Sequence, residues 1–494
     1  MTMNRHNLYS IKQNNDLIRA YFDGQLQVKA RASRFFATIL FFIFIQNSPL
    51  IAQMDSLVLS YPDFVSNILE NHPMAQKANL QLKNAVAERL IAKGNLDPKL
   101  AASWQQKNFD KKLYYRQYQG AIKIPTPLGI DFVGGYENTE GVFLNPENTT
   151  DEFGLWHVGV EANILQGLIV NERRTALQQA EVFAKMAVNE QQIMLNDLLY
   201  EASIQYLEWQ KYEAFASVIE ENLDLAATYF INTRESFLGG EKTAMDTLEA
   251  YILQQDVTIL YTKNQAALIK IRQMVENYLW LDEAPVGLQA TTRPEPLEDL
   301  NFSLPDNINV ASMIANHPSI LAYQNKQVFL EIEQRWKREK LKPKLKIKYH
   351  PLLATNDENI TPNFSDTNYK WGFDFSMPLL FRSERGNIQR GEVKILETNL
   401  DLQNKRNELQ NKLENTLLQR AILQEQLDLL RQNIVGYRAL LEGENEKFRF
   451  GESSVFLVNK RQEKYLDSQI KLIELLNKLQ LESLNILYYT ASFF

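Results

Sequence analysis

Hydrophobic and polar positions change their spacing sharply in the second half of this chain. Residues 369–377 set Tyr369, Trp371, Phe373, Phe375 and Met377 alternately with Lys370, Gly372, Asp374 and Ser376. A period of two predicts a strand with one apolar and one polar face. After the turn Pro-Leu-Leu-Phe-Arg-Ser-Glu-Arg-Gly the period lengthens. From Asn387 to Phe448 there is no proline, and Leu423, Leu427, Leu430, Ile434, Tyr437 and Leu441 recur at spacings of three and four. That predicts one helix of roughly 60 residues, about 90 Å long at 1.5 Å per residue. The usual helix has about 10–14 residues.

Three other segments alternate in the same way. Leu100, Ala102 and Trp104 oppose Lys99, Ser103 and Gln105. Trp156, Val158, Val160, Ala162 and Ile164 oppose His157, Glu161 and Asn163, and Leu345, Ile347 and Tyr349 oppose Lys344, Lys346 and Lys348. Short strands with aromatics on the apolar side suit a membrane barrel whose other face is wet. An antiparallel sheet on a soluble core would alternate similarly. On the barrel reading Glu161, Lys344, Lys346, Lys348 and Asp374 face a water-filled lumen. Four strands cannot close a barrel, since small ones need about eight, and an open edge is not viable in lipid. The chain is therefore expected to oligomerise. Between Asn108 and Leu155 lies a candidate extra hairpin, 118–124 and 130–136, around Pro-Thr-Pro-Leu-Gly; the pattern leaves open whether it joins the barrel.

The chain also repeats itself. Asn71-His72-Pro73 recurs as Asn316-His317-Pro318, and Pro98-Lys99-Leu100 as Pro343-Lys344-Leu345, at one spacing. Further on, Phe237-Leu-Gly-Gly-Glu241 matches Phe448-Arg-Phe-Gly-Glu452. Matching landmarks in one order predict a duplicated unit: a helix beginning at Asn-His-Pro, a strand, a loop, a second strand, a very long helix, a glycine turn and a helix of roughly 38–40 residues. The expected divisions are a leader over 1–52, a first repeat over 53–284, a proline-rich linker over 285–308 and a second repeat over 309–494. Within the first long helix, Leu198, Ala202, Gln205, Trp209, Tyr212, Ala216, Ile219, Leu223, Ala226 and Phe230 form a coiled-coil stripe.

The leader changes the picture further. Arg31 and Arg34 precede an apolar run from Phe35 to Ile45, too short to span a bilayer, and Ser48-Pro49 follows. That is a secretory pattern, with cleavage expected near Ala52. A membrane anchor is the competing reading of this stretch. Composition mostly excludes. A net charge of −7 argues against a nucleic-acid partner, and the absence of cysteine rules out disulfides and thiol chemistry. None of the five histidines has a second ligand at metal-motif spacing, and His72 and His317 are expected to cap helices. No phosphate loop follows Gly239-Gly240. The expectation is a protein without catalytic site, metal or cofactor.

These residues together resemble the TolC-type outer-membrane efflux proteins over about residues 57–490. The resemblance rests on the duplicated order, the Asn-x-Pro helix start in each half and the aromatic–Gly turn before each last helix. It implies a mainly α fold with a membrane β-barrel part. Three copies would each give four strands to a twelve-stranded barrel above a hollow coiled-coil tunnel in the periplasm. It also implies a periplasmic adaptor and an inner-membrane transporter as partners, and outer-membrane lipid around the barrel. The family's closed tip lies around the two turns. Asp246 falls where its first turn often carries an acid; where well-known members place an acidic constriction ring, this sequence has Leu457 and Lys460. The resemblance thus points to Glu241, Asp246, Glu452 and Lys460 as gate residues, with Lys242 and Arg461 as further local bases. Gly240 and Gly451 would reverse the backbone. A simpler reading of the acids is the preference for negative charge in a helix's first turn. The competing function is a periplasmic coiled-coil adaptor or scaffold without a pore.

Overall fold

The computed structural model describes residues 57–304, 309–354 and 363–493. The leader expected over 1–52 lies outside them. In chain order the elements are β1 (Val58–Leu59), α1 (Tyr61–Asn71), α2 (Pro73–Gly94), β2 (Lys99–Phe109), β3 (Lys112–Pro125), β4 (Ile130–Glu140) and β5 (Leu155–Asn163). Then follow α3 (Glu172–Leu238), α4 (Ala244–Glu276) and the short strands β6 (Trp280–Leu281), β7 (Ala284–Pro285) and β8 (Arg293–Pro294). The rest of the chain forms α5 (Val310–Asn316), α6 (Pro318–Glu339), β9 (Lys344–Ala354), β10 (Asn363–Ser376), α7 (Arg382–Arg449) and α8 (Val455–Thr490).

The helices pair off in length: α2 and α6 have 22 residues each, and α3 and α7 have 67 and 68. At 1.5 Å per residue the long ones run about 100 Å. The expected stripe on α3 is buried at Leu198, Ala202, Trp209, Ala216, Ile219 and Ala226. It packs α3 along α2, α4, α6 and α8, while α7 lies along α6 and α8. Alanines at this spacing let helix backbones approach closely. The short helices α1 and α5, which end at the two Asn-His-Pro sequences, were not foreseen. α5 has only seven residues, about two turns, and α1, with 11, buries only the single pair Phe64 and Ile68.

His72 and His317 cap α2 and α6, as expected. Each Nδ1 accepts a backbone N–H two residues on, from Met74 at 3.2 Å and from Ser319 at 3.1 Å. Proline fills the first helical position in both, where a missing N–H costs nothing. The linker is no free tether. Leu297, Leu300 and Phe302 are buried. Its carbonyls at Thr292, Glu295 and Leu300 accept from Arg272, Gln210 and Gln480 at 2.8, 2.9 and 2.6 Å. Strand β8 pairs parallel to β1.

The sheet departs from the four strands per chain that the resemblance implies. Among the described residues it has six, in the order β10-β9-β5-β4-β3-β2, every neighbour antiparallel. The insertion supplies the additional pair. Its turn is fixed from below: Asn171 Nδ2 donates to the Pro127 carbonyl at 2.8 Å, and Arg173 to that of Thr126 at 3.3 Å. Gly129 has φ +69°, and a Cβ there would lie 2.3 Å from the Gly167 carbonyl oxygen, so no other residue fits without displacement.

The cap geometry gives a pH prediction. Burial pushes the His317 imidazole down to about 4 from its ordinary 6.5. Between those values the unfolded chain takes up a proton that the folded chain does not, so stability falls as pH drops from about 6.5 towards 4. His317→Asn keeps a capping acceptor but does not titrate. Thermal melts across this range should show a shallower acid loss for His317→Asn than for the parent protein. His317→Ala should lose about 0.5–2 kcal/mol at neutral pH.

Candidate functional site: the two faces of the sheet and the far helix turns

Alternation sorts the sheet's side chains into two rows. One face carries the apolar row, well exposed: Trp104 at 62%, Phe373 at 63% and Trp371 at 66%. Leu100, Phe132, Val158, Tyr349 and Phe375 lie on the same face and are also exposed. The other face carries a chain of ion pairs. Glu161, on β5, accepts from Lys123 of β3 at 2.6 Å and from Lys346 of β9 at 2.7 Å. Asp131, on β4, accepts from Lys123 at 2.9 Å and from Arg173 of α3 at 2.6 Å. Lys348 meets Asp374 at 2.5 Å, and Lys370 pairs with Glu137. The side chains of Asp131 and Glu161 are only 7% and 12% exposed. Two carboxylates this enclosed need cations beside them, because an unpaired buried charge is costly.

Of the five residues expected on the wet face, Glu161, Lys346, Lys348 and Asp374 enter this network. Lys344 sits on the same row, opposite Ser376. Sequence reasoning missed Lys123, Asp131, Glu137, Lys370 and Arg173. Lys123 and Asp131 fall on the polar positions of the candidate hairpin, so its alternation contained the signal. Arg173 lies on a helix and reaches the sheet only through the fold. His157 and His350 stack on this face, ring centroids 5.6 Å apart. They lie over backbone without side chains: a Cβ on Gly135 would meet His157 at 2.5 Å, and one on Gly159 would meet His350 at 2.2 Å.

The turns at the far ends of α3 and α7 share one construction. Gly240 and Gly451 have φ +82° and +77°. Their N–H groups bond to the carbonyls of Phe237 and Phe448 at 2.9 and 3.1 Å. Those of Glu241 and Glu452 reach back to Ser236 and Lys447, both at 2.9 Å. This is the Schellman closure, which uses the orphan carbonyls of a helix end. Glu241 and Glu452 therefore sit just past a helix end and not in a first turn, which corrects the simpler expectation for these two. Asp246 does fit it. Its carboxylate accepts from the Thr243 backbone and hydroxyl at 2.9 and 2.8 Å, and Thr243 accepts from the Asp246 N–H, a capping box at the start of α4. These bonds hold the Asp246 carboxyl below the usual carboxylate range.

The local bases do not pair with these acids. Lys460 pairs with Glu463 at 2.8 Å, and the Lys242 ammonium stands 4.0 Å from the centre of the Phe448 ring. Arg461 lies 3.6 Å from Glu444, which also accepts from the Ser453 hydroxyl at 2.6 Å. The Ser453 bond, with Lys447 and Arg461 nearby, holds the Glu444 carboxyl low. Glu444 was not foreseen, since one acid on an exposed helix carries no sequence signal. Tyr229 and Asn459 complete the links between the two turns: Tyr229 donates to the Val455 carbonyl at 3.4 Å, and Asn459 to that of Glu249 at 3.1 Å.

No protein-family model and no curated protein matches the sequence. Solved structures do. The CmeC outer membrane channel of Campylobacter jejuni is similar at a TM-score of 0.62 and 13% identity, over 87% of this chain and 85% of that one. VceC, an outer membrane protein of Vibrio cholerae, gives 0.62 and 12%, over 87% and 95%. The open state of the Neisseria gonorrhoeae MtrE outer membrane channel gives 0.61 and 13%, over 87% and 88%. This chain thus has the fold of TolC-type outer-membrane channels. No helix among the described residues is long and apolar enough to cross a membrane, and no cluster of three or more of their His, Asp and Glu residues is placed to hold a metal ion.

The turn geometry separates Asp246 from Glu452 experimentally. Asp246→Ala should speed amide hydrogen exchange in the first turn of α4, because it removes one half of the capping box. Glu452→Ala should leave exchange at the start of α8 unchanged, since Ser454 caps that helix.

Proposed function

We propose that this chain is one wall segment of an outer-membrane export channel. Three copies join their sheets into a barrel, and the helices below form a tunnel through the periplasm. The channel is passive: an inner-membrane transporter and a periplasmic adaptor deliver the solutes. The chain reaches this place through its secretory leader, cut near Ala52, and is built from two repeats, 53–284 and 309–494. The turns Phe237–Asp246 and Phe448–Lys460 form the tip, with Glu241, Asp246, Glu452 and Lys460 around the gate. The long helices support that position, since about 100 Å separates their two ends.

One observation carries the reading. An exposed aromatic band covers one face of a sheet whose opposite face is an ion-pair network. A periplasmic adaptor would bury that band in a soluble core; a barrel wall turns it to lipid. The four alternating segments read from the sequence and the similarity to outer membrane channels support the same conclusion.

Fractionation with two substitutions tests it. Phe373→Arg puts a charge in the outward row and should disrupt assembly in the outer membrane, at a cost of about 2–4 kcal/mol near the bilayer midplane. Lys346→Leu removes a charge from the inward row and should leave assembly largely intact, because Lys123 still pairs with Glu161. Equal defects, or a soluble periplasmic protein, would contradict the channel. In planar bilayers, Glu161→Gln should shift selectivity towards anions, as Lys123 and Lys346 lose their shared carboxylate.

A further inference from the structure

We infer that the closed barrel has eighteen strands, not the twelve that the resemblance implies, with the hairpin β3–β4 as two members of the wall in each copy. The inference rests on the channel reading above. Its basis is that the insertion is neither a loop laid over the barrel nor a plug. β3 pairs with both β2 and β4, and β4 with β5, through continuous ladders that stand between the first strand and the rest of the sheet. Removing the hairpin from the wall would break both of its outer ladders. Its rows also match the sheet: Ile122 and Phe132 face outwards and exposed, and Lys123 and Asp131 join the inward ion pairs.

Closure is consistent with this count. An even number of strands leaves the edge strands β2 and β10 antiparallel, so β2 of one copy meets β10 of the next as another antiparallel neighbour. Both edges carry apolar side chains on the same face, Leu100 and Trp104 on one and Phe373 and Phe375 on the other. The occupant of each free edge is therefore a second copy of this chain. The circumference agrees as well. Four helices per copy, α2, α3, α6 and α7, join the sheet's lower end; at about 8–10 Å between axes they span about 32–40 Å of perimeter. Strands about 4.8 Å apart and tilted by about 40° each take about 6.3 Å, so six span about 38 Å and four only about 25 Å. Three copies of six give a barrel backbone about 36 Å across, against about 24 Å for twelve strands. The barrel is then as wide as the helical tunnel beneath it and is not the narrowest passage.

The chain has no cysteine, so introduced pairs report without background. Directly opposed strand residues lie within disulfide reach. In outer-membrane protein, Gln105→Cys with Gln117→Cys tests β2 against β3, and Phe132→Cys with Val160→Cys tests β4 against β5; both are register partners. Ser103→Cys with His157→Cys tests direct contact of β2 with β5. A series at Ala101, Ser103 and Gln105, each combined with Asp374→Cys, tests β2 against β10 of the next copy. The eighteen-stranded wall gives both register links within one copy, links between copies in the last series, and none from β2 to β5. Links between copies together with a β2–β5 link would overturn the eighteen-stranded wall and leave the channel standing. No link between copies at any position, in a protein that extracts as a monomer, would overturn both.

Discussion

A strand edge in hydrocarbon leaves a row of N–H and C=O groups with no partner, and each unpaired group costs several kcal/mol. Among the described residues every interior strand of this sheet has two antiparallel neighbours, but β2 and β10 each have one. Much else in the structure answers to those two edges. In the proposed channel the apolar row would meet lipid and the charged row water. The inward carboxylates Asp131 and Glu161 each hold two cations, which offsets their enclosure. In the proposed channel, copies of the same sheet supply edges with matching spacing, alternation and direction.

The helices extend away from one end of the sheet. α3 and α7 leave the sheet's lower end and run about 100 Å before the chain reverses. The buried stripe of α3 mixes alanines with Tyr206 and Trp209, whereas that of α7 is built mainly on leucines, Leu402, Leu409, Leu413, Leu427 and Leu441. The carbonyls of Thr292, Glu295 and Leu300 accept from side chains of α4, α3 and α8, which ties the segment from Thr292 to Leu300 to three of the long helices. At the far end the reversal depends on two glycines in the left-handed region and on four Schellman bonds. The reversals are thus built from backbone, while Asp246 caps α4, Lys242 lies over Phe448 and Arg461 meets Glu444.

The fold was legible in the sequence to the extent that periodicity reports it. The long helices, the four principal strands, the two histidine caps and the glycine turns follow from spacing and from residue chemistry. Lys346, Lys348, Glu161 and Asp374 shared a face because a period of two leaves no other choice. The number of strands did not follow, since Gly134 and Gly135 interrupt the apolar alternation of β4 and its neighbours set its role. The ion partners of Glu161 were equally hidden: Lys123 is distant in sequence, and only the strand register brings it near. At the turns, sequence proximity misled. Lys242 and Arg461 lie beside the acids in the chain, yet geometry gives them Phe448 and Glu444.

The central claim is that this sheet is closed by other copies of itself. The most direct measurement is the mass of the protein extracted from the membrane in mild detergent, by native mass spectrometry or sedimentation with the detergent contribution removed. The account predicts a single species of three chains. A stable, folded monomer with its sheet intact would contradict it, because the edges of β2 and β10 would then have survived in lipid without partners.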